Sequence, residues 1–150
     1  MTIPCLNLIN IFIHFDHSVR LINLKGCHEI QISNPDKHEV PGDLQKEHVS
    51  HLMDFIATTI RTYINKSDIK EKITSDTLEI GFTFSFPVSQ TAINSGKLLR
   101  WTKGFNCPGA VGEDVVQLLQ TSLDNIINKS NKQSVKVHIS KMHVDGCCMG

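Results

Sequence analysis

No stretch of this sequence is apolar for long enough to cross a bilayer. The longest candidate near its start, Leu8 to Phe15, is interrupted by Asn10 and His14, far short of the roughly 20 residues a helical span needs. It lacks a positive leader and a small-residue cleavage site, so no signal peptide is expected. Charge of one sign is missing too: 15 Lys and Arg balance 15 Asp and Glu. Without a basic stripe to hold a phosphate backbone, nucleic acid is a poor partner. Cysteine is sparse and unpatterned. Cys5, Cys27, Cys107, Cys147 and Cys148 are odd in number and scattered, which fits reduced thiols in a cytoplasmic compartment better than a disulfide framework. The sequons Asn65-Lys66-Ser67 and Asn128-Lys129-Ser130 carry meaning only in a secreted chain. Internal repeats and low-complexity segments are absent. What remains is ordinary: 150 residues, 40% apolar and 20% charged, enough for one domain with a core that needs no staples.

The spacing of apolar residues predicts the elements. Three short strands are expected within residues 9–33, where Leu21, Ile22 and Leu24 lead to a turn at Lys25-Gly26 and Glu29 to Ser33 alternates with period two. Breakers at Asn34-Pro35-Asp36 and Pro41-Gly42-Asp43 make 34–46 a polar connection. Apolar residues at 49, 52, 53, 56, 60, 63 and 64 have helical spacing. A polar loop at 65–76 follows, then a strand carrying Leu78, Ile80, Phe82 and Phe84 that Pro87 ends. A second helix is expected after Gly112, with Glu113 and Asp114 in its first turn and Val115, Val116, Leu119, Leu123, Ile126 and Ile127 along its stripe. A last strand is expected over 134–140. Strands and helices alternating in this way imply an α/β class, a mixed β-sheet with packed helices.

Generic catalytic motifs fail. Ser95-Gly96-Lys97-Leu98 resembles the end of a P-loop, but Thr91 and Leu98 stand where a glycine and a hydroxyl residue are required. Neither G-x-S-x-G nor G-x-G-x-x-G occurs. Of the histidines, His14 and His17, His48 and His51, and the group His138, His143, Cys147 and Cys148 invite a metal reading. None has a zinc spacing, and a solvated pair beside Glu47 explains His48 and His51 as well.

The informative stretch is Leu78-Glu79-Ile80-Gly81-Phe82-Thr83-Phe84-Ser85-Phe86-Pro87-Val88-Ser89-Gln90-Thr91, continued by Asn94-Ser95-Gly96, Arg100-Trp101-Thr102-Lys103-Gly104-Phe105 and Val111-Gly112-Glu113-Asp114-Val115-Val116. It resembles the small domain of eukaryotic hexokinases and glucokinases, with their G-F-T-F-S-F/Y-P-x-x-Q-T, W-T-K-G-F and V-G-x-D-V-V segments. The match is strong over 78–119 and weaker over 19–77 and 120–150. The resemblance implies a ribonuclease-H/actin-like small domain and ATP-dependent, magnesium-assisted phosphorylation of glucose or a related hexose at its 6-hydroxyl. It also implies that Ser85, Thr102 and Lys103 contact the sugar and that Pro87 shapes the loop. The chemistry agrees, because each sugar hydroxyl needs a donor or acceptor once dehydrated, and these side chains offer hydroxyls and a compact cation.

Three departures count against turnover. The family's D-x-G-G-T-N phosphate hairpin aligns with Ile11-Phe12-Ile13-His14-Phe15-Asp16, which has no glycine to admit a phosphate. The Asn-Asp-Thr-x-Gly segment that carries the family's catalytic aspartate aligns with Met142-His143-Val144-Asp145-Gly146. That puts His143 where a carboxylate accepts the hydroxyl proton. Asp145, two positions along, is about 6–7 Å away if the strand continues. The family's large domain is also absent from these 150 residues. The expectation is therefore a truncated, inactive copy. Its alternative is a non-catalytic sugar binder, or a remnant that docks on a full-length kinase or self-associates through its exposed domain face.

Overall fold

The apolar stripe between Val49 and Ile64 makes one face of a helix that only a sheet or another helix can cover. The computed structural model describes residues 6–13, 16–25, 29–32, 36–70, 77–102, 104–129 and 136–144. It contains that helix, α1, over Val49–Ile64. Strands β1 (Leu6–Ile13), β2 (Asp16–Lys25) and β3 (Glu29–Ile32) precede it. The supposed polar connection contains a fourth strand, β4 (Asp36–Glu39), which pairs with the first residues of β2. Its sequence, Asp-Lys-His-Glu, has no apolar alternation to announce it. One turn of helix, α2 (Ser67–Lys70), lies in the supposed loop, with Ile69 buried.

Next comes β5 (Thr77–Phe84), whose burial alternates residue by residue. It ends at Phe84, and Pro87 opens a hairpin of β6 (Val88–Ala92) and β7 (Ser95–Leu98). That hairpin is polar and mostly exposed, so it has no periodic signature. Helix α3 (Val115–Leu123) runs into a single π turn, Asp124–Asn128. The first-turn assignment of Glu113 and Asp114 is corrected: both precede the helix, and Asp114 is its N-cap, accepting from Val116 N and Gln117 N. The last strand, β8 (Lys136–Val144), extends four residues past the expected end at Ser140.

The main sheet has the order β3-β2-β1-β5-β8. β1, β2 and β3 are antiparallel neighbours, while β1, β5 and β8 run parallel. Parallel neighbours need a crossover, and α1 and α3 supply them. Leu52, Ile56 and Ile60 of α1, Val116 and Leu119 of α3, and Leu78, Ile80, Phe82, Val137 and Ile139 of the sheet form one buried cluster. Ser122 Oγ donates to Asp54 Oδ1 at 2.7 Å and ties α3 to α1. This is the mixed α/β sheet with packed helices that the pattern implies. Among the described residues, no helix is long and apolar enough to cross a membrane.

In β8 the partner register with β5 shifts between Ile80 and Gly81, from Ile80↔Ile139 to Gly81↔Lys141. Ser140 is the surplus residue. A bulge of this kind resets the two-residue alternation, so the buried positions change from 137 and 139 to 142. That reset is why the pattern in the sequence dies at Ser140 although the strand does not.

Candidate functional site

The three parallel strands stop together. Ile13 is in register with Phe84, and Phe84 with Val144. The described ends of β1, β5 and β8 therefore lie at one edge, the carboxyl end, where open α/β sheets bind ligands. Three positions singled out in the sequence converge there: the end of β1 at 11–13, Ser85 and His143. Phe12, Thr83 and His143 occupy a single row across the sheet. His143 lies inside β8, next to its last residue, rather than beyond the strand.

Ser85 is buried, at 3% exposure, immediately after β5. Phe86 follows it into an aromatic cluster. Its ring centroid is 4.9 Å from Phe84, 5.0 Å from Trp101 and 5.1 Å from Phe105. Trp101 stacks on Phe105 at 5.8 Å and donates through Nε1 to Cys107 O at 2.8 Å. Thr102, half-buried, thus follows a tryptophan locked against the neighbour of Ser85. Phe105 N donates to Thr102 O at 3.1 Å, closing a turn, and Gly104 has φ +84°, a left-handed conformation that glycine adopts without strain. Lys103 lies outside the described residues, as do Asp145, Gly146, Cys147 and Cys148. Pro87 is buried, and its carbonyl accepts from Leu99 N at 2.9 Å, joining the two ends of the hairpin.

The far end of the loop docks on the start of α1. Val49 N donates to Pro108 O at 2.9 Å and Asn106 N to Gln45 O at 2.7 Å. Cys107 Sγ donates toward Leu44 O and Gln45 O at 3.2 and 3.3 Å. Burial, and then the Glu47 carboxylate, push this thiol up from 9.0 to about 11, so it is a protonated packing group and not a nucleophile. His48 and His51 are engaged separately. His48 caps α1, with Nδ1 accepting from Ser50 N at 3.2 Å, while His51 Nδ1 lies 3.7 Å from Glu47 Oε2. Among the described residues, no group of three His, Cys, Asp or Glu could hold a metal ion. An open cleft of about 590 Å³ borders the loop, lined by Gly42, Asp43, Gln45, Lys46, Glu47 and Gly104, and does not include Ser85.

Two motif residues serve the framework, a role that reading the sequence did not assign. Asp114 Oδ2 accepts from Ser95 Oγ at 2.5 Å, and Oδ1 accepts from Gly96 N at 3.3 Å and Val116 N at 2.9 Å, fastening the hairpin to α3. The signal was available: an aspartate just before an apolar helical stripe is a standard cap. Gln90 Nε2 donates to Met142 O at 3.1 Å and joins the same hairpin to β8. Nothing local predicts a contact across 52 residues.

At the hairpin that the resemblance aligns with a phosphate-binding segment, the β1–β2 ladder is paired as far as Ile13↔His17. Backbone N–H groups committed to a ladder are not free for phosphate, and no glycine occurs between residues 11 and 17. The residues present do not fit an ATP–magnesium cradle.

Known proteins share this arrangement. The family model described as hexokinase matches residues 16–147. Hexokinase-1 of Saccharomyces cerevisiae is 41% identical over 106 residues, 70% of this chain and 21% of that protein. A glucokinase of Aspergillus niger is 61% identical over 51 residues, 34% of this chain and 10% of that protein. The solved hexokinase of Schistosoma mansoni complexed with glucose superposes with a TM-score of 0.73 at 27% identity, over 92% of this chain and 28% of that one. The chain thus spans about a fifth of the length of the curated relatives that match most of it. A carboxyl-end edge with this strand order, the aromatic-anchored loop and matches on this scale together establish that the chain belongs to the hexokinase family.

Proposed function

We propose that this chain is the small domain of an ATP:hexose phosphotransferase that retains its half of the sugar site and has lost the chemistry of transfer. Ser85, Thr102 and Lys103 bind glucose or a related hexose, and Pro87 holds the loop that presents Ser85. One observation carries the reading: the loop bearing Thr102 is locked by Trp101 and Phe105 onto Phe86, the neighbour of Ser85. A polyhydroxylated ring needs several polar groups held at fixed spacing, and the glucose complex of the Schistosoma relative supports a hexose.

Transfer needs a base within reach of the 6-hydroxyl. His143 stands at the family's aspartate position, and an imidazole that takes the proton becomes cationic where a carboxylate would become neutral. ATP and Mg²⁺ come with the family, but the hairpin at 11–16 is unsuited to them. The chain alone therefore has no significant turnover. It acts as a sugar-binding or docking module beside a full-length kinase, in the reducing compartment its thiols suit.

Trp101 is the sequence's only tryptophan, so glucose titration by its fluorescence tests the reading. A saturable response that Lys103→Ala abolishes, with a midpoint unmoved by millimolar ATP and no product in a coupled kinase assay, is the expected result. A flat response on folded chain overturns the retained sugar site. Measurable turnover overturns the loss of transfer.

A further inference from the structure

β8 is the last strand of its sheet, and an edge strand presents backbone N–H and C=O groups that invite another strand. Here side chains occupy them. Asn128 exchanges two hydrogen bonds with Val137: Val137 N donates to Asn128 Oδ1 at 2.8 Å, and Asn128 Nδ2 donates to Val137 O at 3.0 Å. That is the pattern of a directly paired residue in an antiparallel ladder, supplied by a carboxamide. Two residues along, Ile139 N donates to Gln120 Oε1 at 2.9 Å, and Gln120 Nε2 reaches Val137 O at 3.4 Å.

Asp124 holds both amides in place. Its Oδ1 accepts from Gln120 Nε2 at 3.0 Å and Asn128 Nδ2 at 2.6 Å. Residues 120, 124 and 128 fall four apart on one face of α3 and its π turn. The i→i+5 bond from Lys129 N to Asp124 O, 2.9 Å, closes that turn. Past the bulge the hairpin takes over: Met142 N donates to Ile93 O at 2.7 Å and Gln90 Nε2 to Met142 O.

We propose that Gln120, Asp124 and Asn128 form a surrogate strand that closes the edge of β8 over Val137–Ile139 against β8 of a second copy of this chain. Val137 N, Val137 O and Ile139 N, groups that would pair with an incoming strand, are already consumed, and an isologous pairing of two such edges is the simplest assembly the opened strand could make. Nothing in this depends on sugar binding or catalysis.

Amide hydrogen exchange read by NMR on the full chain tests the pairing residue by residue. Asn128→Ala should speed exchange at the Val137 amide about tenfold or more and leave Ile139 within about twofold, and Gln120→Ala should do the reverse. The double variant should sediment faster with rising concentration than the parent chain. The proposal is overturned if either single variant moves both amides equally or neither, since general loosening would do that. It is also overturned if a folded double variant sediments as the parent does. Should the double variant fail to fold, the exchange pattern of the single variants decides.

Discussion

Two loops leave the same edge of one sheet, and they are built on opposite principles. The loop from Ser85 to Phe105 holds the short β6–β7 hairpin between irregular arms, turns through a left-handed glycine at Gly104, and is pinned by the rings of Phe84, Phe86, Trp101 and Phe105 and by a cap at Asp114. The β1–β2 hairpin is regular to Ile13↔His17. Irregular backbone held rigid can present hydroxyls and amides to a ligand, whereas a completed ladder has spent its amides on itself. Register across a sheet and chemistry at its rim are thus separable. The strand ends stay aligned whether or not the loops beyond them can bind anything.

The comparison breaks first at Phe86. Phe86→Ala removes a side chain of 1% exposure from the centre of the cluster and should cost about 3–5 kcal/mol in urea unfolding followed at Trp101. A cost under about 1 kcal/mol would mean that the Ser85 and Thr102 loops do not lean on each other. Two glycines sharpen the point. Gly109 has φ +89°, and an added Cβ would lie 2.4 Å from His48 Nε2, whereas Gly104, at φ +84°, has nothing nearer than Gln45 Oε1 at 3.9 Å. Gly104→Ala should therefore show backbone strain alone, about 1–2 kcal/mol. Gly109→Ala should cost about 1 kcal/mol more, because the His48 imidazole must move and loosen its cap on α1 as well. Equal losses would show that α1 does not brace the loop.

The smallest effect is electrostatic. The folded chain keeps the Cys107 proton to about pH 11, while an unfolded thiol releases it near 9.0. Stability should be unaffected below pH 9 and fall as pH rises toward 11. In Cys107→Ala that alkaline slope should flatten in unfolding curves. A slope that persists there would assign it to other groups.

The legibility of the chain follows the same division. α1 can be read from its stripe to the residue, and β5 from its alternation, because burial on one face dictates both patterns. β4 and the β6–β7 hairpin cannot, since polar strands at an edge are specified by partners distant in sequence: Val19 for Asp36, Met142 for Gln90. Of the candidate site, the stretch from Ser85 to Thr102 was recognisable as a motif. The framework role of Gln90 within that motif was hidden, and that of Asp114 was legible only as a carboxylate at a helix start, because a motif records which residues recur together and not which of them touch ligand.

The surplus residue at Ser140 has a consequence for how such a chain changes over generations. A strand that stores one extra residue tolerates its loss. Deleting it would restore plain alternation and leave Lys141, Met142, His143 and Val144 opposite the same β5 partners, without moving the helices that grip the other half. The length of this strand can therefore change by one residue while the row at the rim, Phe12, Thr83 and position 143, stays aligned.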